Sequence, residues 1–248
     1  MCNAEYKMVD TMNLISLVIP CYNEAKSIPA LLKDCNELII NNNLEIIIVN
    51  NGSTDESNVI LDALIKDKKK IRVVCVSVNQ GYGHGILEGL KVAKGDLLAW
   101  THADLQTDIK DIVNAIILFS DSDKPEKLFV KGSRYNRPMM DVFFTVGMSI
   151  FETLLMRTRM WDINAQPTVF HRSFYESWVS PPKDFSLDLF VYFMVKKQNL
   201  TIKRFPVLFA NRVHGSSHWN VSISAKFRFI KRTLLYSFLL NKKFKSDA

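Results

Sequence analysis

The chain has 248 residues, 48% of them hydrophobic and 23% charged, which suits one large α/β domain with its own core and excludes a disordered or fibrous chain. The formal charge of +7 is concentrated at one end: Ala225–Ala248 holds seven Lys/Arg against Asp247, a net +6, so the rest of the chain carries only +1. A near-neutral body excludes a broad phosphate-tracking surface, and with it a nucleic-acid partner. Leu14–Ile19 is a continuous apolar run ending at Pro20 and predicts a strand. Ser27–Ile40 predicts a helix with Ile28, Leu31, Leu32, Cys35, Leu38 and Ile39 on one face. Leu44–Val49 predicts a strand, Asp55–Ile65 a helix with Val59, Ile60 and Leu64 as its face, and Ile71–Val78 a strand. Gly83–Ala93 predicts a helix and Asp96–Trp100 a strand. Apolar strands separated by amphipathic helices imply a doubly wound, mostly parallel sheet flanked by helices.

The second half is less regular. Leu128–Ser133, Thr168–Phe170 and Thr201–Val207 predict strands, and Leu187–Val195 a helix. Asp141–Met156 predicts a helix whose apolar residues nearly encircle it, and Ser120–Lys127 (SDSDKPEK) a polar surface loop. Lys226–Leu240 alternates basic and apolar residues at helical spacing. That pattern suits a C-terminal helix lying on an anionic membrane surface, or equally one packed on the domain with its basic face solvated. A single domain over residues 14–220 (a donor half to 110, an acceptor half beyond) followed by a basic tail, 221–248, is the expected organisation. No secretory signal pattern appears, and the longest apolar stretch, Val142–Phe151, is interrupted by Thr145, Gly147 and Ser149 and ends at Glu152. Cys2, Cys21, Cys35 and Cys75 have neither CxxC nor zinc spacing and read as thiols of a reducing compartment. The expectation is a cytoplasmic protein, with peripheral contact to the cytoplasmic membrane face left open; nothing in the sequence sets an oligomeric state.

In doubly wound sheets ligands bind beyond the carboxyl ends of the strands. The first four predicted strands end in Pro20-Cys21-Tyr22-Asn23-Glu24, Asn50-Asn51-Gly52-Ser53-Thr54-Asp55, Asn79-Gln80-Gly81-Tyr82-Gly83-His84-Gly85 and Thr101-His102-Ala103-Asp104-Leu105-Gln106. Ordinary turns explain one such loop but do not call for Tyr, Glu and Gln in all of them. A nucleotide-type site on that rim is therefore expected. Asp104 and Gln106 are spaced i, i+2, so in an extended segment they would point to one side and hold a hard divalent cation, with phosphate oxygens and water completing its shell.

In this order and spacing, VIPCYNE (18–24), VNNGSTD (49–55), NQGYGHGILEGLKVAKGD (79–96) and ADLQ (103–106) resemble a family 2 glycosyltransferase of the GT-A fold. With GSRY (132–135) and RVHGSS (212–217) they resemble the branch of dolichol-phosphate mannosyltransferase and bacterial polyprenyl-phosphate glycosyltransferases. The resemblance implies that Pro20, Tyr22 and Glu24 line the nucleoside pocket, that Asn50 faces the base, and that Asn79, Gly81 and Gly85 border it. It places His102 and Ala103 along the ribose and diphosphate, and gives Mg²⁺ or Mn²⁺ to Asp104 and Gln106. Ser133, Arg134, Arg137, Arg212 and Ser216 would meet phosphates of donor or acceptor, with Asp104, Arg134 and Arg212 as the catalytic groups. Two departures stand out: Asn50-Asn51 replaces the usual acidic pair, and His102, which is not an oxygen ligand, replaces the first Asp of DADLQ.

The implied reaction breaks the anomeric C–O bond of a nucleotide-sugar with inversion, and arginines and a cation stabilise the growing diphosphate charge. A hydroxyl acceptor needs a carboxylate base; a lipid phosphate is already anionic and needs none. The sequence has no Glu-Asp pair after its middle, only Asp184 and Asp188 as reserve bases, and instead offers arginine forks suited to phosphate. Transfer to a polyprenyl phosphate is the expected function. The alternatives are transfer to a sugar hydroxyl of a glycan or lipid-linked oligosaccharide, and a nucleotide-binding partner subunit without catalysis. A dinucleotide dehydrogenase fits less well, because Gly81, Gly83 and Gly85 lack GxGxxG spacing and follow the third strand. Asp162 sits in an expected acceptor-side loop, in which Gln166-Pro167 departs from the family pattern.

Overall fold

The computed structural model describes residues 14–66, 69–210, 212 and 223–246. Seven strands form one sheet: β1 (Ile15–Cys21), β2 (Leu44–Asn51), β3 (Ile71–Val76), β4 (Leu97–Trp100), β5 (Leu128–Tyr135), β6 (Thr168–His171) and β7 (Thr201–Leu208), in the order β3-β2-β1-β4-β6-β5-β7. Only β6 runs against its neighbours β4 and β5; every other pairing is parallel. The helices are α1 (Ile28–Asn41), α2 (Ser57–Ile65), α3 (Tyr82–Val92), α4 (Ile112–Ser120), α5 (Met139–Met156), α6 (Arg172–Glu176), α7 (Ser186–Lys197) and α8 (Ile223–Ser246).

Strand alternation divides the core into two layers. Leu17, Ile19, Ile46 and Ile48 face α1 and α4, whereas Val18, Ile47 and Val49 face α3 and α7. Because both faces are covered, the central strands read as unbroken apolar runs. The register sets Cys21 beside Asn50 and Asn50 beside Cys75, so β1, β2 and β3 end level and deliver their loops to one rim.

Three helices differ from the sequence reading. The α2 helix buries Ser57 and Leu61, while Val59 and Leu64 lie exposed, because it covers the end of the sheet near β3 and needs a narrow contact. The α4 helix has no polar stripe (IVNAIILFS) and so escaped the periodicity test. The α5 helix runs unbroken through Thr145, Gly147 and Ser149 for 18 residues and is, by length and composition, apolar enough to cross a membrane. Only Ser149, Glu152 and Met156 of α5 are buried. The tail helix α8 packs on the domain: Ser237 Oγ donates to the buried Glu152 at 2.5 Å, Arg232 pairs with Asp184 at 3.1 Å, and Leu240 is buried.

Candidate active site

The first two rim loops are stitched together. Asn23 takes a left-handed turn (φ 55°), and Thr54 N donates to its Oδ1 at 2.8 Å. Glu24 N donates to Ser57 Oγ at 3.1 Å, and Ala25 N to Asp55 Oδ2 at 3.2 Å. These bonds fix Glu24 at the start of α1, where Ser27 Oγ donates to its carboxylate at 3.0 Å. Burial pushes the Glu24 carboxyl above its usual range, against the pull of Ser27 and Arg212. Pro20 and Cys21 are the last residues of β1, and the half-buried Tyr22 follows them.

The two asparagines divide the work differently from the sequence expectation. Asn50 does not present its amide to the rim. Its Oδ1 accepts from Ser53 N (3.2 Å) and its Nδ2 donates to Asn58 (3.0 Å), so it closes its own turn onto α2. Asn51 points to the α3 side, donating to Gly81 O at 2.9 Å and to Asn79 Oδ1 at 3.4 Å. Asn51 is 3% exposed and its Oδ1 has no partner among the described residues. A Cβ on Gly85 would lie 3.2 Å from both the Asn51 amide and Pro20, so glycine there permits a close approach of α3. Pro20, Asn51, Asn79, Gly81 and Gly85 thus form one wall.

At the fourth loop the chain turns. Leu105 is left-handed (φ 58°), so Asp104 and Gln106 are not neighbours on an extended segment. They meet through the backbone: Gln106 N donates to Asp104 Oδ1 at 3.1 Å. The Gln106 side chain donates to Ala210 O (3.2 Å), while Ala210 N returns a bond to Gln106 O (2.8 Å). Ala103 anchors the loop in the core. Asp104 is buried, and Arg212 Nη2 lies 2.7 Å from its Oδ2 and Nη1 3.7 Å from Glu24 Oε1. One guanidinium therefore bridges two carboxylates brought from different loops. Among the described residues no group of three His, Cys, Asp or Glu gathers to hold a metal. A single carboxylate that already stabilises a positive charge fits a Mg²⁺ or Mn²⁺ that takes most of its shell from diphosphate and water. His102 is kept neutral because burial lowers its pKa, although Asp104 and Asp188 pull the other way.

Beneath His102 lies a buried polar network that the sequence reading passed over. Tyr82 stacks on Phe185 (4.9 Å between centroids) and faces His102 at 5.3 Å. Gln166 Nε2 donates to Tyr82 OH (3.3 Å) and to Asp188 Oδ1 (3.1 Å). Lys131, fully enclosed, donates to Thr168 Oγ1 at 2.6 Å and pairs with Asp188 at 3.3 Å. Burial pulls the Lys131 ammonium down to about 8. Asp188 is thus committed to Lys131, and Asp184 caps α7 through Ser186 N (2.9 Å) while holding Arg232. Neither reserve carboxylate is left idle.

Ser133, Arg134 and Arg137 line a cavity of about 140 Å³ with Val142, Thr145, Val146, Trp161 and Asp162. Arg134 binds Asp162 through its backbone N (3.1 Å), its Nε (3.0 Å) and its Nη2. Arg137 Nη1 lies 3.8 Å from the same carboxylate, and both guanidiniums stand over the Phe209 ring. Burial would raise the Asp162 carboxyl, but the two arginines outweigh it and hold it below its usual range. Phe209, under both guanidiniums, precedes Ala210, which is hydrogen-bonded to Gln106, so one short segment joins the arginine cavity to the Asp104 loop. Ser216, like His214 and His218, lies outside the described residues.

Known proteins resemble this chain in sequence and in fold. The chain is 39% identical over 106 residues to undecaprenyl-phosphate 4-deoxy-4-formamido-L-arabinose transferase of Aeromonas hydrophila, covering 41% of this chain and 32% of that protein. It is 35% identical over 111 residues to the Pectobacterium carotovorum protein of that name, covering 42% and 33%. The match thus spans about a third of the length of these curated relatives. Glucosyl-3-phosphoglycerate synthase of Mycobacterium tuberculosis, solved with UDP, superposes with a TM-score of 0.71 at 15% identity, over 93% of this chain and 80% of that one. A mannosyltransferase of Pyrobaculum calidifontis, solved with GDP-Man and Mn²⁺, gives 0.63 at 18% identity, over 83% and 59%. These structures share the GT-A fold. The family described as Glycosyl transferase family 2 matches residues 16–177, a stretch that takes in all four rim loops and Asp162, and the chain belongs to that family.

Proposed function

We propose that the protein transfers a sugar, with inversion, from a nucleotide-sugar to a polyprenyl phosphate, working peripherally on the cytoplasmic face of the membrane. The observation that carries this reading is the arginine pair Arg134 and Arg137 lining a cavity next to the Asp104 cleft, with a single aspartate between them. Two guanidiniums converging on one spot offer paired N–H forks that suit a phosphate monoester. The names of the Aeromonas and Pectobacterium relatives point the same way.

In this reading the donor's base and ribose lie along Pro20, Tyr22, Asn51, Asn79, Gly81 and Gly85, and its diphosphate along His102 and Asp104. Asp104, with Gln106 beside it, would hold Mg²⁺ or Mn²⁺; the bound cation supplies positive charge to the leaving diphosphate. Arg212 moves from Asp104 to the diphosphate oxygens. The acceptor phosphate, turned by Arg134 and Arg137, attacks the anomeric carbon from the face opposite the departing oxygen. No proton has to be removed from an anionic acceptor, so the commitment of Asp184 to Arg232 and of Asp188 to Lys131 costs the reaction nothing. The same commitment speaks against a hydroxyl acceptor, which would need one of them as base. Neutral His102 puts no second negative charge against the diphosphate.

The test is product analysis. Purified protein with Mn²⁺ is offered UDP-, GDP-, CDP- and dTDP-sugars, with undecaprenyl phosphate or an oligosaccharide as acceptor. A sugar-phosphate-lipid product is expected; transfer to the oligosaccharide alone would refute the reading.

A further inference from the structure

The α5 helix presents an apolar face to solvent that the fold does not use. Met139 (86% exposed), Phe143 (71%), Ile150 (55%) and Leu154 (74%) recur at helical spacing, with Gly147, whose side is open, between them. The charged residues of α5 are Asp141, half-buried in its first turn beside Arg137, and Glu152, which is buried under α8. The α8 helix continues the surface: Phe151 and Phe238 meet edge-on at 6.0 Å, and Leu235, Phe238 and Leu239 are exposed beside them. Exposed cations adjoin the patch in sequence, Arg157 and Arg159 beyond the end of α5 and Lys231 and Lys242 on α8. An apolar stripe edged with basic side chains complements an anionic bilayer rather than a neutral partner.

We infer that α5, flanked by α8, is the surface by which the protein lies on an anionic membrane. The helix is long enough to span one, but it does not. It joins β5 to β6, adjacent strands of one sheet, so both its ends return to the same side, and the buried Glu152 ties its middle to Ser237. The sequence alone pointed to the basic tail; the structure gives the leading contact to α5. Val142, Thr145 and Val146 of this helix also line the cavity of Arg134 and Arg137. A lipid phosphate would reach the arginines while its chain stays in the bilayer. The assignment of that cavity rests on the function proposed above; the docking surface rests on exposure and charge.

The test is sedimentation of the full chain with phosphatidylcholine vesicles containing or lacking phosphatidylglycerol, comparing wild type with the double variant Phe143→Glu and Leu154→Glu. Wild type should pellet with the anionic vesicles, and the variant's partition should fall by about tenfold or more with its thermal melt unchanged. Turnover should fall on vesicle-borne undecaprenyl phosphate and be kept on a detergent-dispersed short-chain polyprenyl phosphate. A variant that pellets like wild type overturns the inference. So does a wild-type dimer, seen by ultracentrifugation, that the variant breaks while neither protein binds vesicles. Loss of pelleting in the variant supports the surface even where neither protein transfers sugar to any lipid phosphate, a result that would instead remove the proposed acceptor.

Discussion

Replacing Arg212 by alanine separates the contact seen in the structure, with Asp104, from the role toward the diphosphate that the proposed function gives to the same guanidinium. It lies 2.7 Å from Asp104 and 3.7 Å from Glu24. A pair this close is worth about 4 kcal/mol gross at an effective dielectric constant of about 20. A quarter of the Arg212 side chain is exposed (24%), so screening and side-chain entropy reduce this to about 1–2 kcal/mol. A cation that approaches Asp104 without a nucleotide has to displace that pair and loses the difference in affinity. Arg212→Ala should therefore bind Mn²⁺ alone about tenfold more tightly than wild type. The same variant should lose about 10²–10³ in kcat/KM for the donor, since no guanidinium then meets the leaving diphosphate. Titration of free Mn²⁺ by electron paramagnetic resonance reads the first effect and initial rates read the second. Unchanged or weaker Mn²⁺ binding by the variant would refute the competition between arginine and metal.

Three further outcomes follow from the packing. Burial pushes the Glu152 carboxyl from its ordinary 4.5 up to about 7, so the folded state holds its proton more tightly than the unfolded chain and stability falls as pH rises between those values. Glu152→Gln, which keeps an acceptor for Ser237, should remove that slope and stabilise the protein by about 2–3 kcal/mol at pH 8, read by urea melts at a series of pH values; a slope that survives the substitution counts against the assignment. Lys131→Met leaves Asp188 buried and uncompensated and should cost about 3–5 kcal/mol, whereas the double variant Lys131→Met and Asp188→Leu should recover most of it in the same assay; equal losses would mean that the pair is not coupled. Gly85→Ala forces the Asn51 and Pro20 wall to yield and should weaken donor binding about tenfold with little change in Tm, whereas Gly89→Ala, whose Cβ would fall 2.3 Å from Val18, should lower Tm. Donor titrations followed by intrinsic fluorescence separate these cases, and unaltered affinity in Gly85→Ala would remove that wall from the donor site.

The central strands were legible because a sheet covered on both faces leaves runs such as LEIIIV without any polar residue, and the polar loops after them marked the rim. What stayed hidden depended on where side chains turn. Asn50 and Asn51 are adjacent and identical, and only the strand pleat shows that the second, not the first, looks toward Gly81. The i, i+2 spacing of Asp104 and Gln106 suggested two ligands side by side, but the left-handed Leu105 between them breaks that geometry. The Lys131–Asp188 pair did leave a trace, a lone lysine inside LFVKGS and a lone aspartate inside SLDLFVYF, opposite charges each set in an apolar element. Charges in such places need partners, and each was the other's.

The pair of hydrogen bonds between Gln106 and Ala210 limits how far Arg212 could travel. Arg212 lies two residues beyond Ala210, so with that clasp closed its Cα stays on a leash of about 7 Å from a fixed point beside Asp104. Within that radius, under the proposed function, the guanidinium would exchange a carboxylate for a phosphate without leaving the cleft. Its positive charge would then stay in the site throughout that exchange, and only its partner would change.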